Sequence, residues 1–512
     1  MGYREITITL PTNYIDEELR IGAEKELGIK EFSYRIVKKS LDARKRSHIH
    51  WKIRIAVVSE EIRGNVPFAD PPLKIPCGKR REKALVVGSG PAGFFSAFVL
   101  QKAGFTTMLI ERGSDVDKRE AGIQAFERTG VFNATNNYAF GEGGAGTFSD
   151  GKLTSRSKHI KKEREFILSS YIRAGAPEEI RYLAYPHLGS DKLKKLVKNL
   201  REEFLTIGGT VLFETVLEDV KIAQGKVYEV VTSSGGIGAD IVVIASGHSA
   251  YETYRLLIRK GVKFRTKNFA LGCRVEHPQE FINRAQWGRD SLPGVNAAEY
   301  RLTSKGDGKI PVYTFCMCPG GIVVPASAYE NTNIVNGMSI FRRNGKFANA
   351  ACVAGVNPAM LIGEGSTSLK ALDWLESLEE RFYRYADGFR APYCLISDFI
   401  NRKEPSECIE SSYPLGLMPA ALWELLPFAV SSSIREGLKD FCRKIKGFET
   451  GSIMGLESKT SSVIQVLRER NGLCAGFENL YMVGEGSGYA GGILSSGADG
   501  IKAAMSIAGK TF

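Results

Sequence analysis

The chain has 512 residues, 43% of them hydrophobic and 25% charged. That length predicts about two to four domains, and the composition excludes a largely disordered or fibrous chain. A net charge of +12 is mild over 512 residues. It argues against a dedicated nucleic-acid binder and suits polyanionic cofactors or acidic substrates.

No run approaches the ~20 apolar residues of a membrane span, so no membrane partner is expected. The opening MGYREITITL lacks the apolar core of a secretory signal. Nine cysteines follow no framework spacing, so reduced thiols and a cytoplasmic location are expected.

Residues 1–80 read as a small α+β module. Ile6 to Leu10 alternates Ile and Thr as a strand does, and Asp16 to Leu27 has helical spacing with Asp16 placed as a cap. Phe32–Lys38 and Ile49–Val58 read as further strands, giving a β-α-β-β order of ferredoxin-like type. The basic stretch KKSLDARKR between them is a solvated edge or a docking surface for an anionic partner, protein or tRNA. Val66–Gly78, rich in proline, reads as a linker.

From Lys83 the texture changes to strand, glycine turn, helix, strand. Ala84 to Val87 is a short apolar strand, and Gly88, Gly90 and Gly93 follow as G-x-G-x-x-G. Gly88 permits the tight turn, Gly90 lets backbone approach a pyrophosphate, and Gly93 lets the helix pack close to the strand. The helix Ala92–Ala103, entered through Pro91, aims its N–H groups at the phosphates. Met108–Ile110 is the next strand, and Glu111 at its end, with Arg112 beside it, suits an adenosine ribose without a 2′-phosphate.

The segment GEGGAGTFSDGKL places Gly141, Gly143, Gly144, Gly146 and Thr147 together, threaded with Phe140 and Phe148. Successive glycines can turn N–H groups toward an anion, so this loop is expected to wrap a flat ligand and its pyrophosphate. Lys152 and Arg156 are candidates to neutralise that pyrophosphate, or are solvated. A helix is expected over Ser190–Ile207, then strands at Val211–Phe213, Gly225–Thr232 and Ile241–Ala245.

Three further segments favour FAD over NAD. Leu480–Val483 is a strand ending in Gly484-Glu485, and Gly491-Gly492 opens a last helix at Ile493. This pattern is similar to glutathione-reductase-like FAD folds, where such a carboxylate meets the ribitol or pyrophosphate and the helix end faces the flavin. Ala245-Ser246-Gly247 resembles the strand ending of the same folds, and Val216 falls where they use a backbone contact to adenine. No second strand-GxGxxG-helix unit follows, so NAD(P)H is expected only as a diffusible electron donor.

The chain resembles a bacterial family of uncharacterised FAD-dependent, or NAD(FAD)-utilising, dehydrogenases. The resemblance rests on FGEGGAGTFSDGKL (140–153), PHLGSDKL (186–193), ASGHSA (245–250), GCRVEHPQ (272–279), FCMCPGG (315–321), NGMS (336–339) and GEGSGYAGGI (484–493). Lys459 and Val463 depart from it, standing where the family pattern has Arg and Pro. The resemblance implies an α/β fold with a discontinuous Rossmann-like FAD domain and an extra N-terminal domain. The domains expected are 1–80, an FAD domain over 83–255 and 455–512, and an inserted α+β cap or substrate domain over 256–454.

The expected activity is FAD-dependent oxidation or reduction of a small or medium organic substrate. A tRNA-modifying flavoprotein and a non-enzymatic flavin sensor are the alternatives. Cys316-Met317-Cys318 is the sharpest candidate for chemistry: two thiols near a flavin can shuttle electrons, or one can attack substrate, unless they merely pack as small hydrophobes. It lacks a second Cys/His pair at ligand spacing, so no metal site is expected. His248 is a candidate proton carrier. Arg274 is a candidate fork for a substrate carboxylate, or pairs with Glu276 on the same strand face.

Overall fold

The alternating start of the chain forms the strand Gly2–Leu10, followed by the helix Asp16–Leu27 and the strands Ser33–Asp42 and His50–Ser59. In the computed structural model, which describes residues 1–65, 67, 71–405 and 409–510, these strands make an antiparallel sheet with His50–Ser59 in the middle. This βαββ unit has the first four of the six elements of a ferredoxin-like βαββαβ. Asp16 starts the helix rather than capping it. The cap position is Ile15, whose N–H donates to Glu18 Oε2 at 2.9 Å.

The strand Ser33–Asp42 runs further than its sequence suggests, because Lys39 is a docking point. Lys39 N–H donates to Tyr182 O and Ala184 N–H donates to Lys39 O, both near 2.9 Å, and the Lys39 ammonium lies 4.7 Å from the ring centroids of Tyr14 and Trp51. Arg46, in the basic stretch, donates to Ala285 O. Part of that stretch is therefore spent on contacts within the chain. Of the expected linker, Val66 and residues 68–70 lie outside the described residues, while Leu73 and Ile75 pack on the next domain.

That domain carries a parallel five-stranded sheet in the order Leu480–Met482, Ile241–Ile244, Lys83–Val87, Thr106–Ile110, Thr210–Leu212. The strand from the far end of the chain therefore sits beside one from the middle, itself next to the first. The helices Pro91–Lys102 and Ile493–Ala508 pack together on one face. Small residues allow it: a Cβ on Gly500 would come 2.1 Å from Ala92 O, and one on Gly497 would come 3.1 Å from the Phe95 ring. The helix Gly189–Thr206 covers the same core, and an antiparallel ribbon (Leu217–Ala223, Lys226–Thr232, Gly235–Gly238) leads into Ile241.

The inserted region is an eight-stranded, mainly antiparallel sheet centred on Val312–Pro325, Phe347–Val356, Phe269–Pro278 and Ser452–Glu457. The helices Gln279–Trp287, Ser368–Ala386 and Phe428–Lys444 pack on it. The expected domain limits need correction. Residue 255/256 falls inside the helix Tyr251–Arg259, and 454/455 falls inside the strand Ser452–Glu457. The two crossings pair instead as the antiparallel strands Phe264–Thr266 and Ile464–Val466. Among the described residues no helix is long and apolar enough to cross a membrane.

Candidate functional site

The site is built first from backbone. A Cβ on Gly88 would lie 2.5 Å from Ala245 O, and one on Gly93 would lie 1.8 Å from Gly88 O. Both positions thus exclude any side chain, and the helix Pro91–Lys102 presses onto the strand end. Gly90 is the helix N-cap, no side chain caps it, and Pro91 occupies the first turn. A Cβ on Gly90 would meet only Gly144 Cα, at 3.8 Å. The glycine-rich loop therefore stands directly across from the dinucleotide turn.

Glu111 holds these two segments together. Its Oε2 accepts from Ser89 N–H (2.9 Å) and Ser89 Oγ–H (2.8 Å), and its Oε1 accepts from Gly113 and Gly141 N–H, both at 3.0 Å. A carboxylate offers about four lone-pair sites, so the ribose contact expected of Glu111 would share a fully occupied group. The loop's second anchor is Arg119, wholly buried. Its guanidinium donates to the carbonyls of Asn137, Tyr138, Gly141, Glu142 and Gly144 at 2.9–3.3 Å. Burial lowers the Arg119 pKa to about 10, against the opposing pull of Glu111 and Glu142.

Arg119 was not visible in the sequence reading. Its partners are carbonyls, which no residue type announces. Gly143 and Gly144 have φ of 77° and 68°, and Thr147 Oγ donates back to Glu142 O at 3.2 Å. A Cβ on Gly146 would lie 3.2 Å from Ile493 Cγ1, so the loop reaches the start of the last helix.

The far end of the chain closes the trough. A Cβ on Gly484 would lie 2.6 Å from Ala92 Cβ. Gly492 is the N-cap of the last helix and has no side-chain cap. A Cβ on Gly247 or Gly492 would meet nothing within 4 Å, and one on Gly491 only Glu485 Oε1 at 3.8 Å. Open space thus lies over these turns. Beside it, His248 Nδ1 is 3.6 Å from Glu485 Oε2, while the buried His248 Nε2 has no hydrogen-bond partner within the protein. Buried polar atoms are rarely left so, and a polar ligand over these turns would satisfy it.

Two expected contacts are already engaged elsewhere. Val216 N–H donates to Ser233 Oγ and Val216 O accepts from Ser233 N–H, both at 3.0 Å, which leaves no free N–H there for adenine. Arg112 pairs with Glu252 and lies 4.0 Å over the Phe140 ring. A cavity of about 30 Å³, lined by Ser89, Gly143, Thr147 and Ile493 as well as by Phe94 and Leu193, lies between the dinucleotide turn, the loop and the last helix and has room for a water.

The cap meets the loop at Cys316-Met317-Cys318. Here the strand Val312–Pro325 bulges, and Cys316 takes a left-handed φ of 45°. Arg274 Nη2 donates to Cys316 O at 2.8 Å, and Lys152 Nζ donates to Met317 O. Lys152 also pairs with Asp150 at 2.7 Å, and Asp150 with Arg343 at 2.5 Å. Lys152 therefore turns inward to the cap, whereas Arg156 is exposed.

Arg274 is wholly buried. It donates to Asn349 and Asn336 Oδ1, Glu457 Oε2, Cys316 O and Cys318 Sγ at 2.7–3.5 Å. A guanidinium has five N–H donors, so all are spent and none is left for a substrate carboxylate. Its partner is Glu457 and not Glu276, which the hydroxyls of Ser411 and Ser412 hold. The Cys318 hydrogen bond, ahead of Lys152 and Arg274, lowers the Cys316 pKa to about 6, while Cys318 is driven well up.

Comparison with known proteins agrees with this geometry. Residues 81–129 match an FAD binding domain, residues 268–460 match the family described as FAD-dependent protein, C-terminal domain-like, and residues 3–58 match a domain of unknown function. The chain is 38% identical over 492 residues to an uncharacterized protein of Clostridium beijerinckii, covering 92% of this chain and 91% of that one. The chain belongs to that protein's family, a bacterial FAD-dependent family, and FAD is its cofactor.

Among solved structures, glycine oxidase from Bacillus cereus is 12% identical, with 84% of this chain and 96% of that one covered at a TM-score of 0.33. Quinol fumarate reductase FrdA of E. coli is 12% identical, with 83% and 70% covered at 0.39. Neither likeness is high enough to bear on activity.

Proposed function

We propose that this chain is a flavin-dependent oxidoreductase whose two ends grip one FAD, with the AMP half over Gly88–Gly93 and the ring over Gly491–Ile493. The observation that carries this reading is the trough closed from both ends: Gly484 lies against Ala92, and open space lies over Gly247 and Gly492, with the unpartnered His248 Nε2 beside Gly247. FAD supplies two-electron chemistry when bound.

The chain's own residues do the rest. The N-termini of the helices Pro91–Lys102 and Ile493–Ala508, both without side-chain caps, present N–H dipoles to negative charge on the pyrophosphate and on the reduced ring. His248, oriented by Glu485, holds or moves a proton at Nε2. The cap sheet closes the ring end to water and selects a small or medium organic substrate, with NAD(P)H as a diffusible electron donor.

Purified protein should be yellow, with the absorbance near ~450 nm usual for bound oxidised flavin, and should bleach on reduction. Colourless protein that takes up no added FAD would remove this reading.

A further inference from the structure

The Cys316-Met317-Cys318 bend is held at a cost that simple packing does not explain. A cysteine at φ 45° within a strand is strained backbone. Two buried cations clamp it, Arg274 on the carbonyl of Cys316 and Lys152 on that of Met317. Asp150 and Glu457 in turn pair with those cations, and Arg343 shares the Asp150 carboxylate. Charges this deep are expensive unless fully paired, and here the whole set converges on one three-residue bend.

The two thiols are unequal. Cys316 is partly exposed, whereas Cys318 has no exposed surface. Cys318 Sγ–H donates to Cys316 O at 3.4 Å, and Arg274 also donates to Cys318 Sγ at 3.5 Å. Other buried cysteines behave differently. Burial raises Cys352 and Cys474 to about 12, and raises Cys273 and Cys394 too. The groups facing Cys316 are Cys318, Lys152 and Arg274, with Asp150, Arg343 and Glu457 behind them. The cations favour a thiolate on Cys316, the residue of the pair with exposed surface.

We propose that Cys316 and Cys318 form a dithiol site that reduces a disulfide-bearing substrate, with Cys316 attacking and Cys318 resolving. The Cys316 thiolate attacks one sulfur of R–S–S–R. A Cys316–S–S–R bond forms, the substrate S–S bond breaks, and RS⁻ leaves. Cys318 gives its proton to the departing RS⁻, and its thiolate attacks Cys316 Sγ. The Cys316–Cys318 disulfide forms and the second RS⁻ leaves, taking a proton from water. Two electrons pass from the pair to the substrate disulfide, and the products are two thiols. This chemistry does not rest on the flavin reading, because it needs only the two thiols and the disulfide.

The test uses pre-reduced full-length protein, as isolated, with 4,4′-dithiodipyridine as the disulfide. Release of thiopyridone is followed in a stopped-flow instrument, and the products are mapped by peptide mass. The expected result is a fast phase releasing two thiopyridones per chain, leaving the peptide that holds Cys316 and Cys318 two hydrogens lighter and free of adduct. The rate of that phase should rise with pH around a midpoint below the ordinary thiol range, because the Lys152 and Arg274 cations favour the Cys316 thiolate. Cys318→Ser should release one thiopyridone in the fast phase and trap the adduct on Cys316.

An adduct on both cysteines of the wild-type protein would overturn the proposal. So would a Cys316 that reacts no faster than the exposed Cys77. The wild-type peptide map decides the matter even if Cys318→Ser fails to fold.

Discussion

The trough between the chain ends and the bend in the cap sheet are both concave and polar, yet they are made from opposite materials. The trough is made of backbone. Gly88, Gly93, Gly484 and Gly500 let segments approach to distances no Cβ would survive, and N–H groups face the open side. The bend is made of side chains: Arg274, Lys152, Asp150, Arg343 and Glu457 arrive from four separate stretches of sequence to hold two carbonyls. The first design fixes a ligand that is the same in every turnover. The second fixes two reactive atoms and leaves one of them reachable.

The largest effect should come where the trough itself depends on a side chain. Arg119→Met would strand the five carbonyls that Arg119 now satisfies. With each buried unsatisfied group costing roughly 1–3 kcal/mol, the loss should be at least about 3 kcal/mol. Urea denaturation should show it as a lowered midpoint, together with loss of bound flavin. An unchanged midpoint would mean that the loop is held by Glu111 alone.

On the cap side, His277 offers a test by pH. It is buried, Nε2–H donates to Phe448 O at 2.8 Å, Nδ1 has no partner, and burial lowers its pKa to about 4. The unfolded chain, with a His pKa near ~6.5, binds the proton first as pH falls. Stability should therefore be full above pH ~6.5 and decline between ~6.5 and ~4, by up to about 3 kcal/mol. Denaturation midpoints measured across that window should flatten in His277→Gln. A wild-type curve already flat there would contradict the burial of a neutral imidazole.

The smallest of the three returns to the trough. Gly93→Ala places a Cβ 1.8 Å from Gly88 O, and relief by backbone shift should cost about 1–3 kcal/mol. Calorimetric melting would register it, with a larger fractional loss of FAD affinity than of stability, because the shift moves Gly88 and Gly90. Equal losses would place the dinucleotide elsewhere.

This contrast also explains what could be read before the fold was known. Gly88, Gly90 and Gly93 follow one strand at fixed spacing, so their purpose is local and legible. The strand at Leu480–Val483 and its Gly-Glu ending are legible too, whereas its pairing with Ile241–Ile244 comes from the structure. Arg274 reads from sequence as a fork for a substrate carboxylate or as a partner of Glu276, and its actual partners are not legible there. Glu457 lies 183 residues away, and its approach is set by the register of Phe269–Pro278 against Ser452–Glu457. The cap at Ile15 is not legible, because an apolar residue there gives no sign that Glu18 reaches back to its N–H. The limits at 255 and 454 failed because glycine and proline marked no break there, and the strand and helix simply continue.

The most direct test of the two-ended grip is an FAD titration by calorimetry on wild-type protein, Gly90→Val and Gly492→Val, with melting curves to confirm folding. Gly90 faces the loop across 3.8 Å, and a side chain on Gly492 would project into space that meets nothing within 4 Å. Both substitutions should bind FAD at least tenfold more weakly than wild type, although they lie 402 residues apart; Gly492→Val should also melt lower, because φ at Gly492 is 80°. Wild-type affinity in folded Gly492→Val would show that the tail of the chain takes no part in holding the nucleotide.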